Sequence, residues 1–201
     1  MVVGWLAVAT GIHQATKVEW RTWWWGGAAF VAAQVARLPF VIAVAALAGV
    51  PLRGPAQPPP LWFTLAVVTP TAAVAEEGAR WLAFRYPLAG RAERHDAAME
   101  GAGQGGLSAV VVAGVGGFGL LVDLIRHHPS ALLLRTRAWH PLMTTPEQAV
   151  VVGLHVVAAL LVVRAVRDDR VRPLAGAVLL HAIVLAALAT LNAAMGVVAP
   201  A

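Results

Sequence analysis

One feature limits this chain more than any other: apolar runs about as long as a bilayer is thick follow one another, separated only by short arginine-rich or proline-rich pieces. A membrane span needs roughly 20 apolar residues. Five stretches meet that need, Gly26–Val50, Pro60–Phe84, Gly103–Leu124, Glu147–Val163 and Pro173–Val198, and Val2–Ile12 is a marginal first span. With no water to satisfy them, backbone amides in lipid must bond within their own segment, and no strand pattern is present, so helices are expected. The expected fold class is all-α, a polytopic transmembrane helix bundle of about six spans (five to seven). Residues 1–201 form one integral membrane domain, with 1–25 the marginal span plus a Trp-rich interfacial segment and 26–198 the core bundle. Composition agrees. Hydrophobic residues are 59% and charged residues 12%, against about 25% charged in a soluble domain.

The net charge of +5 rests on 14 arginines and one lysine. They are dispersed singly between apolar runs, which suits loops facing the anionic lipids of a membrane and excludes a nucleic-acid partner. No cysteine is present, so neither a disulfide framework nor a thiolate metal site is available. In "TKVEWRTWWWGG" (Thr16–Gly27) tryptophans crowd beside Lys17 and Arg21, as in an interfacial belt. "PLRGPAQPPP" (Pro51–Pro60) reads as a loop, and His127–Pro146 as an amphipathic surface segment. Loops after the first, third and fifth spans hold Lys17, Arg21, Arg85, Arg91, Arg94, Arg164, Arg167, Arg170 and Arg172. The others hold Arg53, Arg126, Arg135 and Arg137. This asymmetry puts the first set in the cytoplasm, with both termini outside, in a bacterial plasma membrane.

Inside the spans, charge is costly and therefore informative. Glu77 lies eight residues before Arg85, Gln104 ten after Arg94, His155 nine before Arg164 and His181 nine after Arg172. Each is then roughly 12–15 Å from its basic marker, so four polar side chains on four spans share one layer. Glu76 and Arg80, four apart, lie on one helix face, where the arginine can hold the carboxylate ionised, while Glu77 is free to meet other spans. Carboxylates beside imidazoles in a dry site can bind zinc, with His155, His181 and Glu77 as candidate ligands, or activate a water for amide hydrolysis. The same residues could instead be a packing network between helices, or serve a small transporter. Asp123 reads as solvated or capping, and His95, His127, His128 and His140 as surface loop residues. "GAGQGG" and "GVGGFG" match G-x-G-x-x-G, but within membrane helices they are close-packing sites; Gly103, Gly105 and Gly106 would bring neighbouring spans against Gln104.

"GGAAFVAAQVARLP" (Gly26–Pro39), "EEGARWLAFR" (Glu76–Arg85), "GAGQGGLSA" (Gly101–Ala109), "GLHVVAALLV" and "LLHAIVLA" together resemble the YhfC family of intramembrane metalloproteases, from Trp23 to Asn192. The E-E-x-x-R signature is also similar to the first motif of CAAX-type intramembrane proteases. The resemblance implies a glutamate that activates water and histidines that bind a metal or stabilise the oxyanion. By position, Glu76 and Glu77 are the acidic pair, Arg80 their partner, and His155 and His181 the remaining ligands or polarising groups. Gln104 and Ser108 stand where the family places histidine and glutamate, and Leu185 where CAAX-type proteases place Asn or Asp; Gln104 could still donate to an oxyanion. A second implication is a non-catalytic scaffold, because the histidine pair around "RAVRDDRVRP" is similar to the anterior-pharynx-defective subunit of gamma-secretase. Expected partners are lipids and a membrane-protein substrate or partner helix.

Overall fold

The computed structural model describes residues 2–51, 59–127 and 131–194. Among these there are helices and no strand: α1 (Val2–Thr16), α2 (Trp20–Leu47), a short α3 (Leu61–Phe63) running through a π-helical turn (Thr64–Val68) into α4 (Thr69–Arg85), α5 (Arg94–His127), α6 (Ala131–Arg167) and α7 (Val171–Ala194). The polytopic helical bundle expected from the sequence is what the chain forms. Among the described residues, three helices are long and apolar enough by themselves to cross a membrane: Trp20–Leu47, Glu147–Arg167 and Val171–Ala194. The apolar window of the last is only 11% buried, and Leu179 and Ile183 face outward. Surface so apolar has lipid as its natural solvent, and the protein is an integral membrane protein.

The connections follow local chemistry. Lys17 takes a left-handed φ of 60° after α1, and the His13 ring Nδ1 bonds the Val18 carbonyl at 2.7 Å. Asp96 accepts from the Glu93 amide at 3.3 Å, capping the start of α5. Asp169, at φ 50°, turns the chain between α6 and α7; Asp tolerates this region better than most residues. Three of these connections meet at one end of the bundle. Arg91 binds Glu19 at 2.7 Å, Arg21 donates to the Pro87 carbonyl at 3.1 Å, and Arg85 lies 3.7 Å from Asp169. The loops that were grouped by their arginines therefore do share one end.

Several boundaries differ from expectation. Trp20–Trp25 form the first turns of α2, because nothing in "WRTWWW" breaks a helix. Arg126 lies in the last turn of α5, and Arg135, Arg137 and His140 lie within α6, which runs unbroken through most of the expected surface segment. His95 is exposed in the first turn of α5, 2.6 Å from Glu93. Arg53, His128 and most of the proline-rich loop lie outside the described residues, as do the side chains of Asp123 and His127.

The π-helical turn has a covalent cause. Pro70 has no amide hydrogen to continue the helical ladder, so the backbone widens by one residue just before it. The core is split along the bundle axis. Phe84, Leu88, Ala158, Ala159, Val162 and Ala177 cluster near the basic end, and Val41, Ala45, Val50 and Phe63 cluster near the other. α4 packs on α2, α6 and α7, while α5 packs on α1, α2 and α6. Between the two apolar clusters lies a polar layer.

Candidate active site

Helix α4 supplies Glu76, Glu77 and Arg80 to this layer, α5 supplies Glu100 and Gln104, α6 supplies His155 and α7 supplies His181; all are buried. Close approach of backbones makes this possible. A Cβ on Gly26 would lie 2.9 Å from the Gln104 nitrogen, and one on Gly103 would lie 2.9 Å from the Trp23 carbonyl carbon, so α2 and α5 touch main chain to main chain. On the opposite face of α5, Gly101 and Gly105 meet α6 in the same way at His155 and Val152. The glycine-rich segment thus works as expected at Gly103 and Gly105: it draws two helices in around Gln104.

Arg80, fully buried, is the hub. Its Nη1 donates to Glu77 Oε2, its Nε to Glu100 Oε2 at 2.9 Å, and its Nη2 to Gln104 Oε1 at 2.7 Å and to His155 Nδ1 at 3.0 Å. Glu77 Oε1 is bonded to His181 Nδ1 at 2.6 Å. Glu76 faces the other way. It accepts from Gln34 Nε2 at 3.0 Å and from Gln104 Nε2 at 3.3 Å, and its Oε2 lies 3.8 Å from the Nε2 of both His155 and His181. Gln34 in turn accepts from Arg37 Nε at 2.7 Å.

The structure brings every expected residue, Glu76, Glu77, Arg80, Gln104, His155 and His181, into one cluster, and it revises their pairing. Arg80 pairs with Glu77, three residues away, rather than with Glu76. The carboxylate that faces both imidazoles is Glu76, whereas Glu77 stands behind His181. Gln104 is tied at both ends of its amide, to Arg80 and to Glu76. Glu100 was not anticipated. Its sequence signal was present, because Glu100 and Gln104 are four apart and share a face of α5. Gln34 was legible only as part of a resembling stretch.

Glu76, His155 and His181 could hold a metal ion, since one ligand atom from each lies within 4.8 Å of the others. The donor chemistry fits. Two imidazoles and a carboxylate with a fourth position left over is a catalytic donor set. His181 is prepared for it: if Nδ1 carries the hydrogen toward Glu77, the lone pair of Nε2 faces Glu76, as in carboxylate–histidine–metal arrangements. His155 is the group that would have to adjust. Its Nδ1 accepts from Arg80, so a neutral ring carries its hydrogen on Nε2, and ligation through that atom requires the Arg80 contact to give way.

A buried acid–imidazole–guanidinium centre inside a lipid-facing helical bundle defines a membrane protein with an internal polar site. The profile of the YhfC intramembrane metalloprotease family matches residues 2–126, more than half of the chain, and the chain belongs to that family. The matched region carries Glu76, Glu77, Arg80, Glu100 and Gln104, while the two histidines come from helices beyond it. Searches of curated proteins and of solved structures each returned no match.

Proposed function

We propose that this protein hydrolyses a peptide bond within the bilayer, near the cytoplasmic side of a bacterial plasma membrane, using water activated by Glu76. The observation that carries the reading is the position of Glu76 Oε2, buried and 3.8 Å from both imidazole Nε2 atoms. The amide hydrogens of Gln34 and Gln104 hold this carboxylate in place, with Oε2 turned toward the imidazoles. Glu76 takes a proton from water as the oxygen adds to the scissile carbonyl carbon, and returns it to the amine nitrogen as the C–N bond breaks. Glu77 orients His181 through Nδ1, and Arg80 fixes Glu77, Gln104 and His155 together. Zinc, if bound, would be held by Glu76, His155 and His181, and would supply Lewis acidity and a more acidic water.

A second reading, a non-catalytic scaffold, is favoured by one observation: Arg80 has four partners and Gln104 is bonded at both ends, as in a network built for packing. Two measurements on detergent-purified protein separate the readings. Mass spectrometry is expected to find about one zinc per chain, lost in His155→Ala and His181→Ala. Glu76→Gln is expected to keep the fold and abolish cleavage of a reconstituted single-span substrate. Cleavage that survives Glu76→Gln would refute the catalytic role, and a variant that loses thermal stability while no form of the protein cleaves would favour the scaffold.

A further inference from the structure

A cavity of about 460 Å³ opens sideways between α2 and the π-helical turn with the start of α4. It is apolar apart from Arg37 and Thr71, with Phe40, Val67, Pro70 and Val74 among its walls. Arg37 is partly buried there. Its Nε donates to Gln34 Oε1 and its Nη1 to the Val68 carbonyl at 3.2 Å. Among the described residues no carboxylate lies within ion-pairing distance of it, and Glu76 is reached only through Gln34.

This arginine is deep. Ten residues separate it from Leu47, the nearer end of α2, about 15 Å along a helix and half of a hydrocarbon core about 30 Å thick. A cation at that depth with no directly paired carboxylate is costly, and such groups mark paths for charged or polar ligands. A lipid headgroup stays at the interface, so an anion that pairs with Arg37 directly has to be carried in by something apolar. A membrane-spanning peptide with an acidic side chain does this, and the groove's walls are suited to its neighbouring residues.

We infer that the groove between α2 and α4 is the substrate-docking site, and that it takes an apolar peptide segment whose Asp or Glu carboxylate pairs with Arg37. What then happens to the segment rests on the proteolytic reading above. The hydrogen-bonded relay Arg37–Gln34–Glu76 sets the register. Its ends are at most about 8 Å apart, which two to three residues of extended chain cover. The acidic residue therefore sits two to three positions from the bond presented to Glu76. The position of Arg37 in the groove is fixed by backbone, because its Nη1 donates to the Val68 carbonyl of the π-helical turn that precedes Pro70.

The test is binding rather than turnover, so it stays decisive even if no cleavage is seen. Labelled full-length protein carrying Glu76→Gln is reconstituted in phosphatidylcholine vesicles. It is titrated by energy transfer with a labelled Leu/Ala peptide about twenty residues long that bears one central Asp, and with the same peptide bearing Asn. The Asp peptide is expected to bind at least about tenfold tighter. The difference should vanish in Arg37→Gln, and Arg37→Glu should prefer a Lys peptide. Val74→Trp, which fills the groove without touching the relay, should weaken binding of both peptides. Equal affinity for Asp and Asn, no binding of either, or an Asp preference that persists in Arg37→Gln would overturn the proposal. So would a preference abolished by adding phosphatidylglycerol, which would make the occupant a lipid.

Discussion

Replacing Gly101 by alanine tests whether main-chain contact between α5 and α6 sets the site. A Cβ there would stand 2.7 Å from both the His155 carbonyl oxygen and the Val156 Cα, and both obstacles are backbone. Ordinary contact begins at 3.4 Å, so the two helices must part by 3.4 − 2.7 = 0.7 Å. Such overpacking costs about 1–3 kcal/mol. A shift of that size would also stretch the 3.0 Å bond from Arg80 to His155 beyond hydrogen-bonding range, for about 0.5–1.5 kcal/mol more. Against this, alanine in a helix interior is worth about 1 kcal/mol over glycine. Gly153, on α6, has nothing within 4 Å of its added Cβ, so the same substitution there is expected to give only the gain. Gly101→Ala and Gly153→Ala should thus differ by about 1.5–4.5 kcal/mol, or about 3–18 °C in midpoint for a chain of this size. Thermal unfolding in detergent, followed by circular dichroism, reads this directly. If Gly101→Ala is as stable as Gly153→Ala, α5 and α6 do not meet through their backbones and the geometry of His155 is not set by that contact.

Other outcomes follow from the same geometry. Arg80→Met leaves Glu77 and Glu100 buried without their counter-charge and should destabilise by about 3–5 kcal/mol, measurable by denaturant titration in micelles; Glu100→Gln, which keeps an acceptor for Arg80, should lose less. Glu77→Gln should weaken zinc binding by about 10–100-fold through loss of His181 orientation, where His181→Ala removes it; equal loss in both would make Glu77 a ligand. At the basic end, the hydrogen bond and charge of Arg91 hold the Glu19 carboxyl below the ordinary carboxylate value. A depressed folded-state pKa stabilises above the unfolded value and is lost as pH falls through the folded one. A small loss of midpoint on acidification below the usual carboxylate range is therefore expected, and Glu19→Gln should remove that component.

Much of the bundle was legible because lipid leaves so few choices. Apolar runs of spanning length imposed helices, and counting from arginines placed Glu77, Gln104, His155 and His181 at one depth, where they are found together. Pairing was less legible. Arg80 can reach a partner three or four residues back on its own helix, and only the position of α7, which brings His181 onto Glu77, decides between Glu76 and Glu77. Glu100 escaped for a related reason. Measured from Arg94 it lies one turn shallower than Gln104, at a depth where a carboxylate is ordinarily solvated, and only the reach of the Arg80 side chain draws it into the layer. Arg37 was legible only as a letter in a motif, since its place in a groove depends on a π-helical turn in another segment.

The crossing of α2 and α5 at Gly26 and Gly103 is also a fulcrum. Two rods that touch backbone to backbone cannot be squeezed closer, and separating them strips contact from both, so tilting about the touching point is the easy motion left. Gln34, which holds Glu76, lies eight residues along the lever, about 12 Å from the pivot, and Pro39 lies thirteen residues along it, about 20 Å away. A tilt of about 5° would move the groove's wall near Pro39 by about 2 Å and Gln34 by about 1 Å, enough to lengthen its 3.0 Å bond to Glu76. Width at the lateral opening and the hold on the reacting carboxylate are thereby geared together through a single helix.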